Sequence, residues 1–296
     1  MGRVRNIIKF INVIVRHPFF MIPDDIYLKI KYRHKTGKKL NLDNPVLFDE
    51  KIQWLKLYDR HPDYPNQVDK YEVRKYIART VGEEYLIPNY GVWDSFDEIP
   101  FDKLPDEFVL KCTHDCASVY LCKDKKTLDT AQLRKHFNKC LARNYFWNRR
   151  EWVYKNIKPR IIAEKFMVDE SGTELKDYKI YCFNGEPKII EVIFNFFTDE
   201  PKENFYSPQW EYQPLRTEDY ATAPHIKIEK PQCLDRMLDL AKKLSAGKIH
   251  VRVDFYIINN RIYFGELTFY NAGGHTRFSP PEWNKIFGDW MALPKR

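Results

Sequence analysis

Two stretches, Arg252-Val-Asp254-Phe-Tyr256 and Phe264-Gly-Glu266-Leu-Thr268, carry a guanidinium, two carboxylates and a hydroxyl on either side of a short polar turn at Asn259-Asn260. If they pair as a hairpin, Asp254 and Glu266 face each other. Facing carboxylates repel unless a cation lies between them. Hard divalent ions such as Mg²⁺ take carboxylate oxygens, usually with a nucleotide's phosphates as well. A metal site or a solvated pair of acids both fit the pattern, and the apolar neighbours Val253, Phe255, Phe264 and Leu267 argue for the first. A second group is Lys111, which ends an apolar run ahead of the small residues Cys112 to Ser118. A lysine there can meet phosphate oxygens, with loop N–H groups completing a cradle. Zinc at Cys112, His114, Cys116 and Cys122 lacks a second ligand pair at the usual interval, so these cysteines read as small core thiols. The third group is Glu164-Lys-Phe166-Met-Val168 with Asp177-Tyr-Lys179. A strand leaving a domain beside aromatic and aliphatic side chains can grip a flat purine, and Lys179 can reach a phosphate. The plainer alternative is a surface ion pair worth under about 1 kcal/mol.

Elements must hold these groups in place. Residues 1 to about 80 read as helical, with Phe48, Ile52, Leu55 and Trp54 forming an apolar stripe and Asp69 starting a helix that buries Val73, Tyr76 and Ile77. The runs 85–93, 108–112 and 160–168 read as strands, and a helical pattern covers about 128–155. Asp177 to Phe183 turns at Asn184-Gly185, a strong hairpin signal, into Pro187 to Phe194. A polar, aromatic loop is expected over about 195–230, then a helix over Leu234 to Leu244 and a hairpin from His250 to Phe269. The fold class is α+β, with helices first and antiparallel hairpins later.

The 296 residues, 44% hydrophobic and 16% aromatic, suffice for one large domain or two of ordinary size. No stretch approaches the ~20 apolar residues of a membrane-spanning helix. Eleven glycines and 18 prolines, without period, exclude a collagenous or low-complexity chain. A net charge of +8 favours an anionic partner without choosing one. Six cysteines in so long a chain read as reduced and cytoplasmic. Near the start, Ile7, Ile8, Ile11, Ile14 and Val15 lie at helical spacing among Arg3, Arg5, Lys9 and Arg16, with no cleavage site after them. That segment either packs on the protein or lies on an anionic membrane surface. With Lys29, Lys31, Arg33, Lys35, Lys38 and Lys39 behind it, we expect weak, salt-sensitive contact with the inner face of the membrane.

Taken in order, the lysine on a strand, the Glu-Lys-Phe segment, the Asp-x-Lys strand and the Arg-x-Asp … Glu-x-Thr hairpin resemble the ATP-grasp superfamily. In detail the chain resembles its teichuronopeptide-biosynthesis (TupA-like) branch, found in bacterial surface-polysaccharide loci. The matching stretches are Phe48 to Lys56, Asp69 to Arg74, Phe108 to His114, Asp177 to Pro187, Arg252 to Tyr256 and Gly265 to Tyr270. The resemblance implies two α+β subdomains gripping a nucleotide, residues 81–163 and 164–296, the second with the metal site, after a helical region 1–80. It implies a carboxylate–amine ligase in which ATP phosphorylates a carboxylate and an amine displaces the phosphate. Lys111 and Lys179 would hold ATP phosphates, and Glu164 with the backbone around Phe166 would hold the adenine. Asp254, Glu266 and Thr268 would ligate Mg²⁺, and Arg252 would stabilise the transferring phosphoryl group. Thr268 stands where many relatives have Asn, and Asp115-Cys-Ala-Ser118 where relatives carry glycine. The expected partners are an anionic polysaccharide or uronic-acid substrate and an amine, and not nucleic acid. The alternative is a glycosyltransferase of the same pathways, with Asp254 and Glu266 holding the metal of a nucleotide-sugar; lysines converging on a triphosphate favour the ligase. Asn271-Ala-Gly-Gly-His275 is either a cradle for an anionic substrate or a plain turn.

Overall fold

A computed structural model describes residues 21–295 apart from positions 117, 173, 196, 197 and 199. The amphipathic segment expected over Ile7 to Val15 lies outside the described residues. Helices come first: α1 (Asp24–Thr36), α2 (Phe48–Tyr58), the short α3 (Tyr64–Val68) and α4 (Val73–Thr80). Glu50 caps the start of α2, its carboxylate accepting the N–H groups of Val46 and Leu47 at 2.9 and 3.1 Å. The stripe Phe48, Ile52, Leu55 is fully buried. Phe48 sits among the rings of Phe183, His250, Phe278 and Phe287, with centroids 5.3–6.1 Å away. No helix among the described residues is long and apolar enough to cross a membrane.

Two antiparallel sheets follow. The smaller contains β1 (Asn89–Trp93), β2 (Phe108–Cys112), β3 (Val119–Cys122) and β4 (Ile161–Lys165), in the order β1-β4-β2-β3. Its own core joins Phe108, Leu110 and Ile161 to Leu133, Phe137 and Cys140 of α5 (Thr130–Leu141). The chain passes to the larger sheet after β4, whose residues straddle the expected division at 163/164. That sheet holds β5 (Asp177–Phe183), β6 (Glu186–Phe194), β7 (Lys202–Tyr206), β8 (Tyr212–Gln213), β9 (Ala221–Thr222), β10 (His250–Ile258) and β11 (Arg261–Thr268). Its order is β11-β10-β5-β6-β7-β8, and β9 pairs with β7 in parallel. Asn184 and Gly185 (φ 49° and 84°), like Asn259 and Asn260 (φ 48° and 60°), are left-handed, the mirror-image turns that suit the twist of paired strands. One face of the sheet packs Ile180, Val192, Val251 and Val253 against Met237, Leu240 and Leu244 of α7 (Leu234–Ser245), in a core separate from the first.

Three expectations change. The helical pattern over 128–155 breaks after Leu141, resumes only in α6 (Phe146–Arg149) and ends where Arg150 turns left-handed at φ 55°. The run 85–93 opens as a 3-10 turn, Glu83–Tyr85, and becomes a strand only after Pro88. The expected loop over 195–230 contains β7, β8 and β9. The strand β7 escapes the sequence pattern because Glu203 and Asn204, on its opposite faces, are polar and both fully buried. Thr217 satisfies Glu203 and the carbonyl of Ala223 satisfies Asn204, at 2.6–3.0 Å.

Candidate active site

The polar face of the larger sheet carries a rung of charge. In register across four strands stand Glu266, Asp254, Lys179 and Glu191. Strand alternation sends these side chains away from the α7 core. The two-residue turn at Asn259-Asn260 starts β10 and β11 in a register that would set Asp254 opposite Gly265. The sheet corrects this with an irregularity between Asp254 and Phe255, where Gly265 is the extra residue, and only then does Asp254 meet Glu266. A Cβ at Gly265 would lie 3.1 Å from the Asp254 carbonyl oxygen, so the bulge suits glycine.

Arg252 is the cation between the two facing carboxylates. Its guanidinium donates to both Asp254 oxygens at 2.7 and 2.6 Å, to Glu266 at 3.4 Å and to the Thr268 hydroxyl at 3.3 Å. Lys179 bridges Asp177 at 2.5 Å and Asp254 at 3.0 Å. Burial alone would raise the Asp254 carboxyl, but Arg252 and Lys179 outweigh it and hold it below its usual range. Burial opposes the Lys179 ammonium too, yet Asp177 and Asp254 hold it above its ordinary value. Asp177 is pushed up to about 6, chiefly by burial, with Lys179 drawing it down and Asp254 pushing it up.

This rung forms one wall of a cavity of about 340 Å³ that residues of both sheets line. Val109, Leu121, Ile87, Phe166 and Met167 give it an apolar lining, and Lys70, Lys111, Glu164, Lys179, Asp254 and Glu266 give it an ionic one. The structure thus brings six of the expected residues, Lys111, Glu164, Phe166, Lys179, Asp254 and Glu266, to one space. Arg252 and Thr268 stand behind them, reaching the cavity through Asp254 and Glu266. Lys111 and Glu164, assigned by the resemblance to phosphate and base, are joined at 2.9 Å, with Arg74 3.6 Å from the same carboxylate. Cys116, expected in the core, lies on the cavity wall with its thiol 3.5 Å from the Tyr154 hydroxyl.

Sequence reasoning missed Lys70 and Arg74, both on the cavity. Asp69 explains their position: its carboxylate accepts the N–H groups of Tyr71 and Glu72 at 2.8 and 2.9 Å and the Thr113 hydroxyl at 3.0 Å. That turn is thereby pinned to the loop after Lys111, and Lys70 donates to the Asp115 carbonyl. Two cations four residues apart beside a capping aspartate were the available signal.

The family model described as TupA-like ATPgrasp matches residues 50–292. The chain belongs to the TupA-like ATP-grasp family. No curated protein sequence matches it. Among solved structures, this TupA-like chain is similar to D-alanine–D-alanine ligase from Helicobacter pylori, at 14% identity and TM-score 0.46, over 83% of this chain and 69% of that one. It is similar to L-amino acid ligase from Bacillus licheniformis at 15% identity and TM-score 0.46, over 87% and 58% of the two chains. It is also similar to D-alanine–D-alanine ligase from Bacillus anthracis complexed with ATP, at 16% identity and TM-score 0.39, over 69% and 54%. The TupA-like chain therefore spans between 54% and 69% of the length of these three.

No group of three or more His, Cys, Asp or Glu side chains among the described residues is arranged to hold a metal by itself. The donors at the rung nevertheless fit a hard cation that draws its remaining ligands from phosphate. Asp254 and Glu266 supply carboxylate oxygens, each with more than one lone pair. Glu266 is the more open of the two, 37% exposed against 2% for Asp254, and faces the cavity.

Proposed function

We propose that this chain is an ATP-dependent carboxylate–amine ligase acting on a uronic acid or another carboxylate of a bacterial surface polymer. The observation that supports it is one cavity lined both by apolar side chains that suit a purine and by the cations and acids that suit a triphosphate with Mg²⁺. The purine stacks against Phe166 and Met167 and bonds to the backbone leaving β4. Lys111, held by Glu164, meets the phosphate nearest the base, and Lys70 and Lys179 meet those farther along. Asp254 and Glu266, with Thr268 beside them, hold Mg²⁺, which when bound neutralises phosphate charge. A carboxylate oxygen of the substrate attacks the γ-phosphorus as the bond to the ADP oxygen breaks, and Arg252 stabilises the charge in transit. The amine nitrogen then attacks the acyl carbon, phosphate leaves, and the amine gives up its extra proton. Membership of the ATP-grasp family supports the ligase over a nucleotide-sugar transferase.

Titration calorimetry with Mg²⁺ tests this reading. ATP is expected to bind and a nucleotide-sugar is not, and Glu266→Gln, which keeps size and removes charge, is expected to lower Mg²⁺-dependent ADP release at least about a hundredfold with an unchanged melting curve. Binding of the nucleotide-sugar without ATP, or full turnover in the variant, would sink it.

A further inference from the structure

The loop Asn271 to Thr276 follows β11 and does not line the cavity. Its backbone is a turn and not a cradle. Gly273 and Gly274 donate their N–H groups back to the carbonyls of Tyr270 and Asn271, at 2.7 and 2.8 Å. Residues 272–274 are left-handed, with φ of 46°, 63° and 70°. Two fully buried side chains of α2 grip this turn. Gln53 donates to the carbonyls of Gly273 and Gly274 at 3.1 and 2.9 Å. Lys56 donates to the Gly273 carbonyl at 2.6 Å, and to the Arg149 carbonyl and the Gln53 side chain at 3.0 Å each. The fit is tight: a Cβ at Gly274 would lie 2.4 Å from the Gln53 amide nitrogen and 2.7 Å from Ile52. Bonds from an ammonium are roughly twice as strong as neutral ones, so α2 fixes the turn.

Asn271, itself buried, ties this loop to the charged rung. Its Oδ1 accepts from Arg252 Nη1 at 2.5 Å, and its Nδ2 donates to the Thr276 hydroxyl at 3.0 Å, which sets the end of the amide that faces the guanidinium. The contacts of Arg252 then run against simple electrostatics. An ionised acceptor draws a guanidinium closer than a neutral amide does. Asp254 obeys, at 2.7 and 2.6 Å. Glu266 does not: it stands at 3.4 Å, while the neutral Asn271 holds the other nitrogen at 2.5 Å. The fixed loop is what keeps Arg252 and Glu266 apart, and Glu266 keeps its open surface on the cavity.

The geometry points to Asn271 as a positioning residue: clamped by Gln53 and Lys56, it withholds Arg252 from Glu266 and leaves that carboxylate open for a divalent cation. The inference rests on the metal site of the ligase reading above and adds the device that keeps it available. A close ion pair with Arg252 would occupy the lone pairs that a hard cation takes. Without the Asn271 oxygen the guanidinium is free to close the 3.4 Å gap.

Binding of the non-hydrolysable β,γ-imido analogue of ATP to the full chain, measured at graded Mg²⁺, tests it. In Asn271→Ala the Mg²⁺ concentration that gives half of the metal-dependent gain in affinity is expected to rise at least about tenfold, while affinity without metal stays within about twofold. Asn271→Asp keeps an acceptor for Nη1, with the Thr276 hydroxyl as donor to it, and is expected to match the wild type within about twofold. A loop that served the fold alone would lose metal-free binding too and would not separate Asp from Ala. An unshifted Mg²⁺ midpoint in Asn271→Ala, an equal loss of metal-free binding, or an Asp variant as impaired as the Ala one overturns the inference. If Asn271→Ala does not fold, Thr276→Val decides: it keeps shape and removes the acceptor that orients the amide, so a shift of about threefold in the same direction is expected and no shift overturns. A wild type that does not bind the analogue, or gains nothing from Mg²⁺, would instead overturn the ligase reading and its metal site.

Discussion

Glu203 and Glu191 lie on neighbouring strands with almost no exposed surface. Glu191 accepts the Tyr181 hydroxyl at 2.6 Å, and Glu203 takes the N–H and hydroxyl of Thr217. Burial, followed by the charge of Glu191, pushes Glu203 up from 4.5 to about 8. Between those values the folded chain keeps a proton that the unfolded chain has lost, so this residue's contribution to stability is fully present below about 4.5 and is lost as pH rises through about 8. We expect urea unfolding to give a wild-type stability lower at pH 8.5 than at pH 5.5, and Glu203→Gln to remove part of that decline, on the order of a few kcal/mol. Identical pH profiles for the two proteins would refute it. Such residues are the least legible in sequence: a buried acid inside Lys-Glu-Asn-Phe-Tyr looks like a loop. Asp254 and Glu266 were legible because Val253 and Phe255, and Phe264 and Leu267, mark their strands as packed.

At the scale of elements, period and turn chemistry announced what was local. The Phe48 stripe and both hairpins follow from spacing and from Asn-Gly and Asn-Asn turns. Crossings between distant elements left no such mark. Gly288, in α8 (Trp283–Trp290), lies against the start of α2 so closely that a Cβ would sit 2.2 Å from the Val46 oxygen and 3.0 Å from the Phe48 nitrogen. Lys51 ties the same crossing by donating to the carbonyls of Gly288 and Met291 at 2.8 and 2.7 Å. Both obstructing atoms are backbone and cannot rotate away. Gly288→Ala is therefore expected to cost about 1–3 kcal/mol, read as a lowered melting temperature. A melting curve like that of the wild type would mean that the helices can separate freely.

Across the whole molecule, each sheet has its own core, and the ionic cavity draws on both. The position of the cavity follows from strand order, which no local pattern encodes; that is why Lys70 and Arg74 escaped notice while Lys111 and Lys179 did not. A ligand bound there touches both sheets and stabilises each against unfolding without the other. Calorimetry should give a broad or double transition for the free chain and a single sharper one with a non-hydrolysable ATP analogue and Mg²⁺, raised by about 2.7 kcal/mol at a hundred times the dissociation constant. An unchanged trace under saturation would argue that the ligand does not link them.

The extra residue at Gly265 sets regularity against chemistry. Carrying the turn's register straight through it, so that Gly265 stood opposite Asp254, would leave a cleaner hairpin, with uninterrupted pairing outward from Arg261. It would also turn Glu266 to the far side of its strand from Asp254, because a slip of one residue reverses every side chain beyond it. Mutational drift or redesign that favours the tidier ladder would thus yield a protein that folds well and has lost one of its two acids. The imperfection is what sets the two carboxylates face to face, and selection for stability alone would erase it.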